Sequence, residues 1–229
     1  MKMLQSFRGR IISLLLKCKP IANWYYGSRN LSKKKTYVKG NDNIFKDMGL
    51  STDIQRIVVG NNNYIENGIE ANLSNTRINI SGNNNRVIIG SGTCIDNSRI
   101  WIEGNNCRLI IGENVTVVGA DFSIAEDDQS IEIGDDCLFA YDVEFKTSDS
   151  HSIIDLDTNE RINYARSIKL ENHVWLGAKA SVLKGVTIGK DSIVATGAIV
   201  TRDIPANCLA AGIPAKVIKT NVTWDGNRL

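Results

Sequence analysis

Residues 170–200 read LENHVWLGAKASVLKGVTIGKDSIVATGAIV, and an aliphatic side chain returns at every sixth position of this stretch. Small residues stand between these positions, and glycine directly follows two of them. Consecutive matches in one frame predict a stacked β-solenoid, in which each coil buries its apolar side against the next. The aliphatic positions are Leu170, Leu176, Val182, Ile188, Val194 and Val200, and the small residues at the corners include Ala180, Ser192 and Ala198.

A longer repeat precedes this stretch. Gly60–Asn63 recurs as Gly82–Asn85 and, with a final cysteine, as Gly104–Cys107, each 22 residues further on. Short alternating strands such as Arg77–Ile80 and Arg99–Ile102 come before the later corners, so the isoleucines of each strand share one face. Asn and Gly accept the left-handed backbone conformation that tight corners need. The repeating unit is therefore strand, Gly/Asn turn, strand.

Composition places the chain among globular proteins with a sizeable core. Its 229 residues are 42% hydrophobic and 23% charged, which argues against disorder. The mainly apolar run Ile11–Leu16 is far shorter than the roughly 20 residues that span a bilayer. It lies behind basic residues as a signal peptide does, but no small-residue cleavage site follows, so we expect it to be retained. The five cysteines form no C-x-x-C pair, and we interpret them as structural thiols of a cytoplasmic protein.

The first 50 residues are predicted to be a basic N-terminal helix and a linker. Leu4, Phe7, Ile11, Leu14 and Cys18 follow at steps of three and four, as on the apolar face of a short helix. Residues 1–40 hold ten Lys and Arg and no acid, so the remaining 189 residues carry a net charge of −8 against +2 for the whole chain. The helix either caps the open end of the solenoid or attaches to the inner face of a membrane through anionic head groups.

Residues 146–168 lose the apolar period and are predicted to project as a loop from the solenoid at 51–205. This loop holds His151, one of only two histidines, where a partly hydrated imidazole can titrate near neutral pH. The other, His173, is interpreted as a surface-turn residue. Trp175 is assigned to a corner, where this solenoid otherwise uses small or polar residues, so it forms either a pocket wall or a packing surface for a neighbouring subunit.

Three features resemble the hexapeptide-repeat acyltransferases. They are the hexad run, its ending Gly212–Lys219, and the segment Thr147–Ile153 with Trp175 located 24 residues after His151. Within them, the resemblance extends to O-acetyltransferases that modify bacterial surface polysaccharides, including sialic-acid capsules. It is specific over residues 110–219 and loose over 51–109. It implies an all-β, left-handed parallel β-helix, assembled as a homotrimer with acetyl-CoA as co-substrate in a cleft between subunits and no metal. His151 is then the general base, Trp175 lines the cleft, and the amide of Ala178 stabilises the thioester oxyanion.

The same resemblance assigns the rest of a coenzyme A site, which ends in a C-terminal CoA-binding tail at 206–229. Thr196, Thr201 and Arg202 match positions that contact the pantetheine and nucleotide parts, and Lys216 and Lys219 match basic positions near the phosphates. Cations at those places also suit phosphate on general grounds.

The chemistry is coherent from the residues alone. A sugar hydroxyl is almost entirely un-ionised at neutral pH, so its attack on a thioester needs a positioned base such as histidine. No cysteine or serine occupies a matching nucleophile position, so direct transfer is preferred. Asp149 either orients the imidazole or is a solvated acid, and Asp121 and Glu126 are further candidates for contact with an acceptor hydroxyl.

Other classes of function stay open, because a solenoid does not fix an activity. A carbonic anhydrase would need three histidines for zinc, and the chain has two. A non-catalytic binding module would not require the spacing of His151 and Trp175. N-acetylation of an amino sugar linked to a nucleotide uses the same base and thioester. The basic segment lacks interleaved aromatics, which argues against nucleic acid.

Overall fold

The computed structural model describes residues 34–226, and its regular structure there consists of β-strands. The predicted N-terminal helix lies outside the described residues. No helix within 34–226 has the length and apolarity needed to cross a bilayer. In chain order the strands are β1 Lys35–Lys39, β2 Ile44–Asp47, β3 Leu50–Val59, β4 Tyr64–Asn67, β5 Asn72–Ser81, β6 Arg86–Ile89, β7 Cys94–Asp96, β8 Arg99–Glu103, β9 Arg108–Ile111, β10 Thr116–Val117, β11 Ala120–Ala125, β12 Ser130–Ile133, β13 Leu138–Phe139, β14 Val143–Lys146, β15 Ile168–Leu170, β16 Trp175–Leu176, β17 Ser181–Leu183, β18 Thr187–Ile188, β19 Ile193–Val194, β20 Ile199–Val200, β21 Cys208–Ala211 and β22 Lys216–Thr220.

The strands form three parallel stacks, one on each side of a solenoid. The first stack runs β7, β10, β13, β16, β19 and β21; the second β8, β11, β14, β17 and β20; the third β2, β4, β6, β9, β12, β15 and β18. The long strands β3 and β5 turn a corner, because the start of β5 pairs with β7 and its end with β8. A solenoid with three stacks of parallel strands agrees with the β-helix that the resemblance implies.

The interior of the solenoid is the predicted aliphatic column. All six hexad positions from Leu170 to Val200 are at most 1% exposed. The corner residues Ala180, Ser192 and Ala198 are fully buried as well. In the wider coils before them, Phe122 and Phe145 stack with ring centroids 5.0 Å apart and contribute aromatic packing to the same core. The prediction of a solenoid from the hexad period is therefore confirmed.

The Gly/Asn corners are held by a ladder of buried amides. The side chain of Asn85 is fully buried, donates to the carbonyl of Gly104 (2.9 Å) and accepts from the amide of Cys107 (2.8 Å), while its own amide donates to Asn63 (3.0 Å). The adjacent Asn84 has φ of 58°, the left-handed conformation predicted for these corners. Gly82 is required because a Cβ there would overlap the carbonyl of Gly104 in the next coil. The asparagine side chain of each corner thus provides hydrogen-bond partners for the backbone of the next corner.

Replacing Asn85 by alanine is expected to lower the free energy of unfolding by about 2–5 kcal/mol, because the carbonyl of Gly104 and the amide of Cys107 lose their partners inside the protein. Chemical denaturation followed by circular dichroism measures the change. Asn79→Ala is the control, since Asn79 lies on the outer face of the same coil. Equal stability of Asn85→Ala and the wild type would contradict the ladder's role.

The ends of the solenoid differ from the predicted boundaries. Residues 35–50 are not a linker: β1 and β2 already pair in parallel with β3 and β4. At the other end, β21 still pairs with β19, and only β22 reverses direction. The excursion loop is confirmed, since residues 147–167 separate β14 from β15.

The cysteine prediction holds for three positions. Cys107, Cys137 and Cys208 are buried free thiols. Burial raises the pKa of Cys137 to about 12, so its reactive thiolate is scarce at neutral pH. Cys94 is the first residue of β7.

Candidate active site

The excursion loop presents His151 with an exposed side chain at its start. The preceding Ser150 has φ of 66°, a sharp change of direction that turns the chain away from β14. The amide of His151 donates to the carbonyl of Asp149 (2.8 Å), and its carbonyl accepts from the side chain of Asn163 (2.9 Å). The backbone of His151 is therefore fixed while its imidazole is accessible.

Asn163 is the main fixation point of the loop. Only 7% of this residue is exposed, and its amide nitrogen donates both to the carboxylate of Asp149 (2.8 Å) and to the carbonyl of His151. Its side-chain oxygen accepts from the amide of Ile153 (2.7 Å). Lys184, from the next coil, donates to the carbonyl of Asn163 (3.0 Å). One buried amide thus joins both arms of the loop.

Asp149 does not orient the imidazole within this chain. Its carboxylate pairs with Lys184 and accepts from Asn163, and these partners hold the pKa of Asp149 below its usual value. Within residues 34–226 the ring of His151 makes no hydrogen bond. Neither alternative left by the sequence describes these contacts, because the carboxylate of Asp149 holds the side chains of Asn163 and Lys184.

A second ion pair anchors the far arm of the loop. Arg161 donates to both carboxylate oxygens of Glu126, with one distance of 2.9 Å, and Ser148 donates to the same carboxylate (2.7 Å). The guanidinium of Arg161 keeps the pKa of Glu126 below its usual value. Asp121 is likewise paired, with Arg99. Glu126 therefore has a structural role in place of the predicted contact with an acceptor. For Asp121 the contact with an acceptor stays a prediction.

Trp175 is on a strand and not at the predicted corner: it begins β16 in the first stack, between Leu138 and Ile193 of the neighbouring coils. It is 38% exposed, so one side of the indole is open to a ligand or a neighbouring subunit. Ala178 follows in the next corner, where its carbonyl accepts from Gly197 (2.8 Å) and its amide makes no hydrogen bond to another described residue. Such an amide is free to stabilise an oxyanion. Thr196 stands one coil further on, exposed at the corresponding corner.

Trp224, which no sequence pattern marks, returns from the C-terminal tail to this region. Its indole nitrogen donates to the carbonyl of His173 (2.9 Å), and its ring stacks on that histidine at 4.3 Å between centroids. The ring also lies 6.0 Å from that of Trp175, tilted by 47°. The imidazole of His173 contacts Asp191 (2.7 Å). His173 is therefore part of an aromatic corner beside Trp175 and more than a surface turn.

The basic residues assigned to phosphate lie on the last strands. Lys216 is paired with Ala211 and Lys219 with Leu209, and a register shift lies between these pairs. Because Leu209 and Ala211 are two apart on β21, the shift brings both lysines to one face of β22. Thr201 and Arg202 follow β20 and are exposed. The geometry offers exposed cations near the C-terminal end of the solenoid.

His151 and Trp175 lie on different sides of the solenoid. His151 follows β14 at the end of the second stack, whereas Trp175 stands on the first stack, after the corner that closes the third. The chain therefore does not present the two side chains at one corner.

Comparison with known proteins supports a common architecture. Residues 167–202 match the family described as bacterial transferase hexapeptide (six repeats). The polysialic acid O-acetyltransferase of Escherichia coli O1:K1 / APEC is 40% identical over 109 residues, which is 48% of this chain and 36% of that protein. The galactoside O-acetyltransferase of Escherichia coli K12 is 39% identical over 93 residues, 41% of this chain and 45% of that protein. The chain thus spans less than half the length of these curated relatives.

Two solved structures resemble most of this chain. The polysialic acid O-acetyltransferase OatWY is 28% identical with a TM-score of 0.74, covering 86% of this chain and 93% of that one. The polySia specific acetyltransferase NeuO is 29% identical with a TM-score of 0.63, covering 85% of this chain and 89% of that one.

Proposed function

We propose that this hexapeptide-repeat protein, which resembles the polysialic acid O-acetyltransferases, transfers the acetyl group of acetyl-CoA to a hydroxyl of a cell-surface saccharide. The observation that carries the proposal is His151, exposed on a loop whose backbone is fixed by Asn163. The acceptor is a capsular or sialic-acid-containing polymer, because the relatives that match in sequence and in structure include polysialic acid O-acetyltransferases.

The transfer is direct. The imidazole of His151 takes the proton of the acceptor hydroxyl while the hydroxyl oxygen bonds to the thioester carbonyl carbon. The amide of Ala178 donates to the carbonyl oxygen as negative charge develops there. The carbon–sulfur bond then breaks, and the leaving thiolate receives the proton from the imidazolium. Trp175 bounds the cleft, Thr196, Thr201 and Arg202 contact the body of the coenzyme, and Lys216 and Lys219 face its phosphates.

The test is acceptor-dependent release of free thiol from acetyl-CoA. Purified protein is incubated with acetyl-CoA and a panel of saccharides that includes a sialic acid polymer, a neutral capsular polymer and an amino sugar linked to a nucleotide. We expect thiol release with the sialic acid polymer and an ester in the product that mild base removes. Release with the amino sugar alone would favour N-acetylation, and no release with any acceptor would refute transferase activity.

The active site is proposed to form between subunits of a homotrimer. The support is that His151 follows β14 of the second stack whereas Trp175 lies on β16 of the first stack, so a second copy would bring the two residues together in a shared cleft. If so, co-refolding two inactive variants, His151→Ala and Trp175→Ala, restores about a quarter of wild-type turnover, because one interface in four then joins two intact residues. Each variant refolded alone is the control. Absence of recovery in verified mixed trimers would mean that one chain supplies both residues.

We further propose that the protein works in the cytoplasm, at the inner face of the membrane. The ten cations of residues 1–40 suit anionic lipid head groups, as well as an anionic polymer.

A further inference from the structure

An open groove runs along the corner between the first and second stacks. Its volume is about 590 Å³, and we call it the corner groove. Its floor follows the outer face of the second stack, one residue per coil: Arg77, Arg99, Asp121, Glu144 and Ser181. These five are successive partners in the parallel pairing, so the groove lies along the solenoid axis.

The length of the corner groove suits a chain molecule. Five coils are separated by four inter-strand steps of about 4.8 Å, which gives about 19 Å. A groove of that length, open to solvent along its side, accommodates several consecutive units of a polymer and is longer than one sugar ring needs.

The side chains of the corner groove combine cations with hydroxyl-binding groups. Arg77 and Arg99 are direct neighbours on parallel strands, an arrangement of like charges that is unfavourable by itself. Arg99 is paired with Asp121, whereas Arg77 forms no ion pair with a residue of the described chain. A ligand carboxylate at Arg77 would offset this repulsion. The carboxylates of Asp121 and Glu144 further along can accept hydrogen bonds from hydroxyl groups.

An exposed indole stands beside the corner groove. Trp101 lies two residues after Arg99 on the outer face of β8 and is 44% exposed. Its neighbours in the adjacent coils are the small polar residues Asn79 and Ser123, and its indole nitrogen donates to the carboxylate of Glu103 (3.4 Å). An amphipathic surface of this kind suits the apolar face of a sugar ring.

The corner groove ends next to the residue assigned to the oxyanion. Lys179 lines this end, and it directly follows Ala178. Thr196, assigned to the coenzyme, lies in the next coil against Gly177 of the same corner, where an added Cβ would come within 2.6 Å of the amide of Thr196. The corner groove and the position assigned to the coenzyme therefore adjoin the same corner.

We propose that the corner groove binds the acceptor as an extended saccharide polymer with carboxylate and hydroxyl groups, with Arg77 and Arg99 contacting carboxylates several units away from the acetylated one. This inference rests on the proposed function. It means that residues in coils other than those of His151 and Trp175 determine how the protein distinguishes long from short polymers.

The test compares Arg77→Gln/Arg99→Gln with Arg86→Gln, an exposed arginine of the same coil on the third stack. For a long sialic acid polymer we expect the double variant to raise KM about tenfold with kcat within twofold, since each exposed charged contact contributes modestly. With a short sialic acid oligomer and with acetyl-CoA we expect KM values like those of the wild type. Arg86→Gln should match the wild type throughout, and circular dichroism confirms the fold of each variant.

Polymer binding is also measured without acetyl-CoA, by retardation of the protein in gels containing the sialic acid polymer or poly-glutamate of similar length. We expect retardation by the saccharide that depends on Arg77 and Arg99, and weaker retardation by poly-glutamate. Unchanged KM and retardation in the double variant would overturn the inference, and so would an equal loss in Arg86→Gln or equal retardation by poly-glutamate. If the wild type transfers acetyl to no acceptor, the proposed function fails, while the retardation result still decides whether the groove binds polymer.

Discussion

His151→Ala is expected to lower kcat by about 10²- to 10⁴-fold, the usual contribution of a positioned general base. Affinity for acetyl-CoA should remain close to that of the wild type, because the substitution removes a proton acceptor and leaves the cleft walls in place. Initial rates at saturating acceptor and calorimetric binding of acetyl-CoA measure the two quantities separately. Trp175→Ala differs in that both rate and binding should fall, since an exposed wall of the cleft is lost.

Ser152→Ala is the matched control for His151→Ala, because Ser152 is the exposed neighbour on the same loop. It should keep wild-type kinetics. If His151→Ala retained more than about a tenth of the wild-type kcat while the chemical step limits the rate, His151 would not be the base.

Asn163→Ala is expected to lower kcat about 10- to 100-fold without touching the reacting atoms. The substitution removes the hydrogen bonds to Asp149, to the carbonyl of His151 and from the amide of Ile153, so the imidazole loses its fixed position. Misplacement of a catalytic group by about 1 Å can cost on the order of 10²-fold in rate. Steady-state kinetics should show a loss in kcat with the KM for acetyl-CoA nearly unchanged.

Two measurements separate positioning from general destabilisation. The thermal unfolding midpoint of Asn163→Ala should stay near that of the wild type, because the loop lies outside the aliphatic core, and limited proteolysis should cut the variant loop faster. Glu160→Ala, an exposed change on the same loop, should affect neither rate nor cleavage. Full activity of Asn163→Ala would show that the fixation of the loop is irrelevant to catalysis.

The sequence predicts the solenoid because its core is periodic. The hexad positions from Leu170 to Val200 are the side chains that point inward, so the period shows the core directly. The loss of that period marks the excursion loop. The same reasoning failed at residues 35–50, where β1 is exposed along its whole length and therefore shows no apolar alternation. A strand whose side chains bury little area leaves little trace in hydrophobicity.

The candidate site is less visible in the sequence, because its contacts join distant residues. Trp224 reaches His173 across 51 residues, and Asn163 reaches Asp149 across 14. Neither of these two pairs has a spacing that matches the repeat of the solenoid. A single aromatic residue in a tail also forms no sequence pattern that would mark it. Apart from the residues that the resemblance assigns, His151 and Trp175 were identifiable because their residue types differ from those around them.

The corner ladder makes the N-terminal half of the molecule modular. Successive coils there pair residue for residue at steps of 22, so Arg77 aligns with Arg99 and Arg99 with Asp121. An in-frame duplication or deletion of one coil would preserve every corner and leave the coils of His151 and Trp175 unaltered. It would change the reach of the corner groove by one inter-strand step, about 4.8 Å. Evolution could in this way adjust the length of polymer recognised without revising the chemistry.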